Sequence, residues 1–228
     1  MAETDFSIRS FKGGYDSNLT YLVSCMRTGN QLLIDASVSI EQIKPFINKR
    51  GLIAIFITHT HSDHLAYLDE YLENFSDLVV MVHRVSEMKI KSDYIKPIKN
   101  GDIISIGQLN FEAYHTPGHY EDSVCYYLDG VLFTGDTLFV GRTGRTISEG
   151  SDIKKLYESV YNKFLTLPEN TILPSLIGIW PEMYARFPVV TTGMYEPAGF
   201  GGIGKVIPIS FNFSLIMRII YPTPNSMC

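Results

Sequence analysis

Thr58-His-Thr-His-Ser-Asp-His-Leu65 follows directly on the apolar run Leu52-Ile-Ala-Ile-Phe-Ile57. An uninterrupted apolar run predicts a strand buried on both faces. A loop at the end of such a strand can aim several side chains at one point while the sheet holds their backbone. His59, His61, Asp63 and His64 thus offer three imidazoles and a carboxylate, a donor set that suits zinc, iron or manganese without a thiolate. A metal held by one loop would stay open on most sides, so further donors are expected elsewhere. In His115-Thr-Pro-Gly-His119, Pro117 and Gly118 make a turn that presents His119 beyond the strand Leu109–Tyr114. Asp136, in Phe133-Thr-Gly-Asp-Thr-Leu138, ends another apolar strand.

Outward from this cluster the chain alternates. Toward the N-terminus, Phe6–Phe11, Leu19–Cys25 and Gln31–Asp35 read as a meander of strands, the last closing on an acidic turn. Ile40, Ile43, Phe46 and Ile47 recur at helical spacing before Gly51. Helices are expected from about His64 to Asn74 and from about Val85 to Lys91, with a strand Leu78–Val82 between them. Strands return at Asp102–Ile106, Leu109–Tyr114, Ser123–Leu128 and Val131–Thr134, the last two joined by an Asp129-Gly130 hairpin turn. A helix over Asp152–Phe164 carries an apolar stripe through Ile153, Leu156, Tyr157, Val160, Tyr161 and Phe164. Blocks of strands with helices between them predict an α/β protein, an αββα sandwich of two mixed sheets covered outside by helices.

The chain has 228 residues and a formal net charge of −5, from 19 basic and 24 acidic side chains. A chain of this size buries roughly 70% of its unfolded surface, so a single core suffices. The acidic balance argues against a nucleic-acid partner, which would need clustered Lys and Arg. No stretch approaches the roughly 18 uncharged apolar residues of a membrane span, and the first residues lack the apolar core of a secretory signal; a cytoplasmic location is expected, with no membrane partner. Cys25, Cys125 and Cys228 lack CxxC spacing and read as reduced thiols.

The His-x-His-x-Asp-His pattern, followed by a later histidine and a later aspartate, resembles the signature of the metallo-β-lactamase superfamily. Within it, Gly13-Gly-Tyr-Asp16, His115-Thr-Pro-Gly-His119 and Phe133-Thr-Gly-Asp-Thr-Leu-Phe-Val-Gly-Arg-Thr-Gly-Arg-Thr146 resemble the hydroxyacylglutathione hydrolase (glyoxalase II) and persulfide dioxygenase branch. The resemblance covers about residues 5–173. It implies the metallo-β-lactamase fold, with His59, His61 and His119 on a first metal, Asp63 and His64 on a second, and Asp136 between the two. It further implies a catalytic part for Asp63 and a supporting one near the site for Arg145. His115 is not expected to be a ligand, and His83 reads as a surface or packed histidine. The cofactor implied is zinc, one or two ions, with iron or manganese as alternatives. The reaction implied is hydrolysis of a thioester such as a hydroxyacylglutathione, through water activated by the metal. A rival within the same branch is a mononuclear iron persulfide dioxygenase holding its metal with His59, His119 and Asp136, a two-His, one-carboxylate triad.

The sequence leaves the family pattern near residue 174. Family hydrolases carry one more histidine after a late strand; here Thr171-Ile-Leu-Pro174 leads into Ser175-Leu-Ile-Gly-Ile-Trp180, and no histidine follows His119. Residues 174–228 also hold five charged side chains, 7 of the 11 prolines and 6 of the 18 glycines. The chain therefore divides into a metal-binding domain, 1–173, and an atypical, poorly specified tail, 174–228, that reads as a divergent or out-of-frame version of the usual C-terminus. A third functional reading follows, an inactive member whose tail no longer completes the site. Gly199-Phe-Gly-Gly-Ile-Gly-Lys205 mimics a phosphate loop, but Val206 replaces the magnesium-binding Ser or Thr and Pro208 opposes the helix such a loop needs.

Overall fold

A computed structural model describes residues 5–13, 18–86, 90, 94–139, 142–168 and 170–174. Residues 175–228 of the tail, with the phosphate-loop mimic, and residues 14–16 of the Gly13–Asp16 motif lie outside the described residues.

Six strands form the first sheet in sequence order: β1 (Phe6–Gly13), β2 (Asn18–Cys25), β3 (Gln31–Ile34), β4 (Leu52–Phe56), β5 (Val79–His83) and β6 (Ile95–Ile98). β1, β2 and β3 pair antiparallel, whereas β3 to β6 pair parallel. Parallel strands need both faces covered, which is why β3 is buried at every position and β4 reads as a continuous apolar run. The second sheet holds β7 (Ile103–Ile106), β8 (Leu109–His115), β9 (Val124–Leu128) and β10 (Val131–Phe133) in the order β10-β9-β8-β7, all antiparallel. Two mixed sheets were expected. Among the described residues the second is mixed only through a parallel bridge from Val131 to Ile172. A short ribbon, β11 (Leu138–Phe139) with β12 (Arg142–Thr143), follows β10.

Period-2 alternation sorts the side chains into layers. Tyr21, Val23, Leu32, Ile34 and Phe56 from the first sheet meet Leu109, Phe111, Ala113, Val124, Tyr126 and Phe133 from the second in the central core. The opposite face of the first sheet, with Leu33, Ile55, Ile57, Val80 and Val82, packs on α1 (Ile40–Ile43) and α2 (Leu68–Asn74). Cys125 and Leu132 on the outer face of the second sheet pack on Leu156, Val160 and Phe164 from α3 (Ile153–Lys163) and the turn after it. The layers are α, β, β, α, as expected.

Several elements differ from the sequence reading, each for a local reason. The helix expected from His64 begins only at Leu68, because the backbone between is spent on the β3 loop: Ala36 N–H donates to the His64 carbonyl and Tyr67 N–H to the Ala36 carbonyl, each at 2.9 Å. The helix expected from Ile40 to Asn48 is a single α turn followed by a 3-10 turn, Lys44–Phe46, opened by Pro45. Instead of a helix after Val85 there is a 3-10 turn, Arg84–Ser86, and residues 87–89 and 91–93 lie outside the described set. β6 was not expected; its Pro97 cannot donate to a ladder, but the strand stands at the sheet edge, where proline is tolerated. α3 is capped by Asp152, whose carboxylate accepts from Lys154 and Lys155 N–H. Its stripe is only partly buried, as Ile153 and Tyr157 face solvent. Cys25 and Cys125 are buried free thiols. Among the described residues no helix is long and apolar enough to cross a membrane.

Candidate metal centre

Loops from both sheets meet at one end of the sandwich. The loop after β4 brings His59, His61 and His64, the loop after β8 brings His119, and the turn after β10 brings Asp136. Ligand atoms of His59, His61 and His119 lie within 4.8 Å of one another, and so do those of His59, His64 and Asp136. His61 Nδ1 is 2.9 Å from His59 Nε2 and 3.0 Å from His119 Nε2. Asp136 reaches His64 Nε2 with Oδ1 at 3.2 Å and His119 Nε2 with Oδ2 at 3.6 Å.

The outer hydrogen bonds settle where the ring protons sit. His119 Nδ1 lies 2.8 Å from the Arg145 carbonyl, an acceptor only, so Nδ1 carries the proton and Nε2 a lone pair. His64 Nδ1 donates to Asp35 Oδ2 at 2.8 Å. Thr58 Oγ1 gives its proton to the same carboxylate oxygen at 2.8 Å and accepts from His59 Nδ1 at 3.2 Å, again leaving Nε2 of His59 as a lone pair. His59 Nε2, His61 Nδ1 and His119 Nε2 therefore converge with one proton at most among them. Mutually facing lone pairs repel unless a cation sits between them. That is the fit of this donor set to a metal ion.

Burial lowers the His59 pKa well below its ordinary value, helped by the neighbouring histidines, and lowers that of His61, with His119 adding to the effect. Both rings are neutral at neutral pH and ready to bind a cation. Burial would lower His64 as well, but the carboxylates of Asp35 and Asp136 overrule it and push it up to about 10. Burial would raise Asp136, yet the close approach and charge of His64 hold it below the usual carboxylate range. Among the described residues His64 Nε2 is buried without a partner in hydrogen-bond geometry, and a cation arriving there would displace its proton.

The remaining expected residues fall as follows. Asp63 lies outside both donor groups; its Oδ2 accepts from Asn18 Nδ2 at 2.7 Å, which ties the rim of the site to the start of β2. Arg145 touches the centre through its main chain, and its side chain is exposed. His115 is in neither group. It stacks on the buried His83 with ring centroids 3.8 Å apart. Gly118, at φ +143, could carry no side chain, since a Cβ there would lie 2.3 Å from the Leu156 backbone.

Asp35 went unrecognised in the sequence, where it read as a strand-ending acidic turn. It is buried, holds φ at +61, and accepts from Thr58 N–H, Thr58 Oγ1 and His64 Nδ1. The signal available was an acid closing the strand next to the histidine strand. Asp122 was missed too, and nothing in its sequence context marks it.

The family profile described as "Metallo-beta-lactamase superfamily" matches residues 13–175. A Bacillus subtilis (strain 168) protein named "Probable metallo-hydrolase YqgX" is 32% identical over 193 residues, covering 75% of this chain and 88% of that one. The "Hydroxyacylglutathione hydrolase" of Francisella tularensis subsp. novicida is 34% identical over 154 residues, covering 61% of this chain; the match spans 59% of the Francisella protein, less than two thirds of its length. Among solved structures, ETHE1 from Myxococcus xanthus superposes with a TM-score of 0.63 at 28% identity, covering 73% of each chain.

Proposed function

Because this chain belongs to the metallo-β-lactamase superfamily, we propose that it is a metallo-hydrolase acting on a small thioester of the hydroxyacylglutathione type. The observation that carries the proposal is the convergence of His59 Nε2, His61 Nδ1 and His119 Nε2, with the outer nitrogens of His59 and His119 already committed. The likeness to a hydroxyacylglutathione hydrolase supports the substrate class.

In this reading His59, His61 and His119 would hold one divalent cation, zinc in the first instance, and His64 and Asp136 would hold a second. The cation supplies the Lewis acidity that lets a water lose its proton near neutral pH and polarises a carbonyl. Asp136 faces His64 and His119 in the centre, and Asp63, fixed by Asn18 on Oδ2, takes a proton at the rim through Oδ1. Arg145 orients His119 through its carbonyl and offers its side chain to an anionic substrate. The functional unit is residues 1–173, with 174–228 as a separate, atypical segment.

A purified chain loaded with zinc should release free thiol from a hydroxyacylglutathione, lose that activity to a chelator and regain it with added metal. Hydrolysis that survives the chelator, or none by the metal-loaded chain, would overturn the proposal.

A second reading rests on His119 Nε2 and Asp136 Oδ2 lying 3.6 Å apart beside His59. Two imidazoles and one carboxylate form the facial arrangement of mononuclear iron oxygenases. Under it, the iron-loaded chain consumes oxygen with glutathione persulfide and does not cleave thioesters.

A further inference from the structure

We propose that Asp122 is a positioning residue, which places His61 in the metal centre by clamping Thr60. Three of the four clustered imidazoles have an outer nitrogen tied down: His59 to Thr58, His64 to Asp35 and His119 to the Arg145 carbonyl. His61 turns Nδ1 inward, and no hydrogen bond holds its other nitrogen among the described residues. The ring contact on this side is Tyr120, with centroids 4.3 Å apart, and a ring face does not fix the angle of a ring. The position of His61 is therefore set through its backbone, and the residue before it is Thr60.

Asp122 holds Thr60 at two points. Its Oδ1 accepts from Thr60 N–H at 3.3 Å, and its Oδ2 accepts from Thr60 Oγ1 in a short hydrogen bond. The same Oδ2 takes a third donor, Ser86 Oγ at 2.6 Å, from the turn after β5. Asp122 is buried, at 1% exposure. A buried carboxylate is costly unless its oxygens are satisfied, and here the donors come from two separate segments. The clamp also joins two ligands, because Asp122 stands on the loop that presents His119. That loop, having placed its own histidine, fixes the backbone of another one 58 positions away in sequence.

The affinity arm of the test rests on the metal-site reading; the ring-resonance arm does not. Zinc affinity would be measured by competition with a chromophoric chelator for wild type, Asp122→Asn, Asp122→Ala, Thr60→Val and the Thr60→Val/Asp122→Ala double variant. Asp122→Ala should weaken zinc at least tenfold, within the range seen for outer-shell changes. Asp122→Asn should recover part of the loss, because the amide keeps an acceptor and the hydroxyls can turn to accept from its NH₂. Thr60→Val should reproduce the loss, and the double variant should be no worse than the weaker single.

In the metal-free protein, histidine-ring ¹⁵N resonances would be recorded for wild type, Asp122→Asn and Thr60→Val. The His61 ring should lose its single environment while those of His64 and His119 keep theirs. A double variant whose losses multiply, or a His61 ring that is unchanged in folded Asp122→Asn and Thr60→Val, would overturn the proposal. Should wild type bind no zinc, the metal-site reading falls and the ring resonances alone decide the role of Asp122.

Discussion

His64 Nδ1 donates to Asp35 Oδ2 at 2.8 Å, and both side chains are almost wholly buried. The same carboxylate receives Thr58 N–H at 2.7 Å and Thr58 Oγ1 at 2.8 Å. One acid at the end of β3 thus holds the Nδ1 proton of His64 directly and sets the tautomer of His59 through Thr58.

Removing that acid leaves three buried donors unanswered. Asp35→Ala should lower stability by about 3 kcal/mol or more, as loss of one partner from a buried charged network does. Asp35→Asn, which tolerates the positive φ, should cost less stability while still reducing metal content. Chemical denaturation and elemental analysis on the same samples check both statements.

Arg145 should divide its two roles cleanly. Arg145→Ala keeps the carbonyl that receives His119 Nδ1, so metal content should stay within about twofold of wild type, while KM for an anionic thioester should rise about tenfold, the cost of a lost charged contact. A matching loss of metal would show that the side chain, and not the main chain, supports the centre.

Stability of the metal-free chain should depend on pH from both sides. Burial, with the stacked His115 adding to it, holds His83 down to about 4, and burial lowers His115 too. Histidines in an unfolded chain take their protons near a pKa of about 6.5. Below that value the unfolded state binds more protons than the native one, so this pair costs stability as pH falls from about 6.5 toward 4. His64 acts oppositely: raised to about 10, it contributes in full below about 6.5 and loses that contribution as pH rises through 10. Melting temperature against pH, compared with His83→Phe, should show the acid-side slope reduced and the alkaline side unchanged.

Gly118→Ala should be among the most damaging single methyl additions. The new Cβ would lie 2.3 Å from the backbone of Leu156, at a φ of +143 that alanine rarely adopts. A loss of about 2 kcal/mol or more is expected, and because His119 is the next residue, zinc affinity should fall with it. Denaturant midpoints and chelator competition report the two effects separately.

The sequence displays some of this architecture openly and hides the rest for physical reasons. His59, His61 and His64 are legible because imidazoles after a wholly apolar strand have few other uses, His119 and Asp136 because each follows a glycine turn at the end of a strand, and the layers because strands such as β8 alternate cleanly. Asp35 and Asp122 are single acids at strand ends or in turns, and only the fold shows whose hydrogen bonds they collect. The late start of α2 is equally hidden: residues 64–67 have helical sequence, but Ala36 competes for their backbone groups. Pro97 disguised β6, since a residue that cannot donate stops being a fault once its strand lies at an edge.

The donors do not belong to one layer: His59, His61 and His64 hang from the first sheet, His119 and Asp136 from the second. An ion bound by both sets would act as a rivet through the seam of the sandwich. The sheets could not slide or part at that end without shedding it, so ion exchange and sheet separation would share one rate. Amide exchange at the facing ends of β4 and β8 would then slow together on loading, while the opposite end of the sandwich would breathe as before.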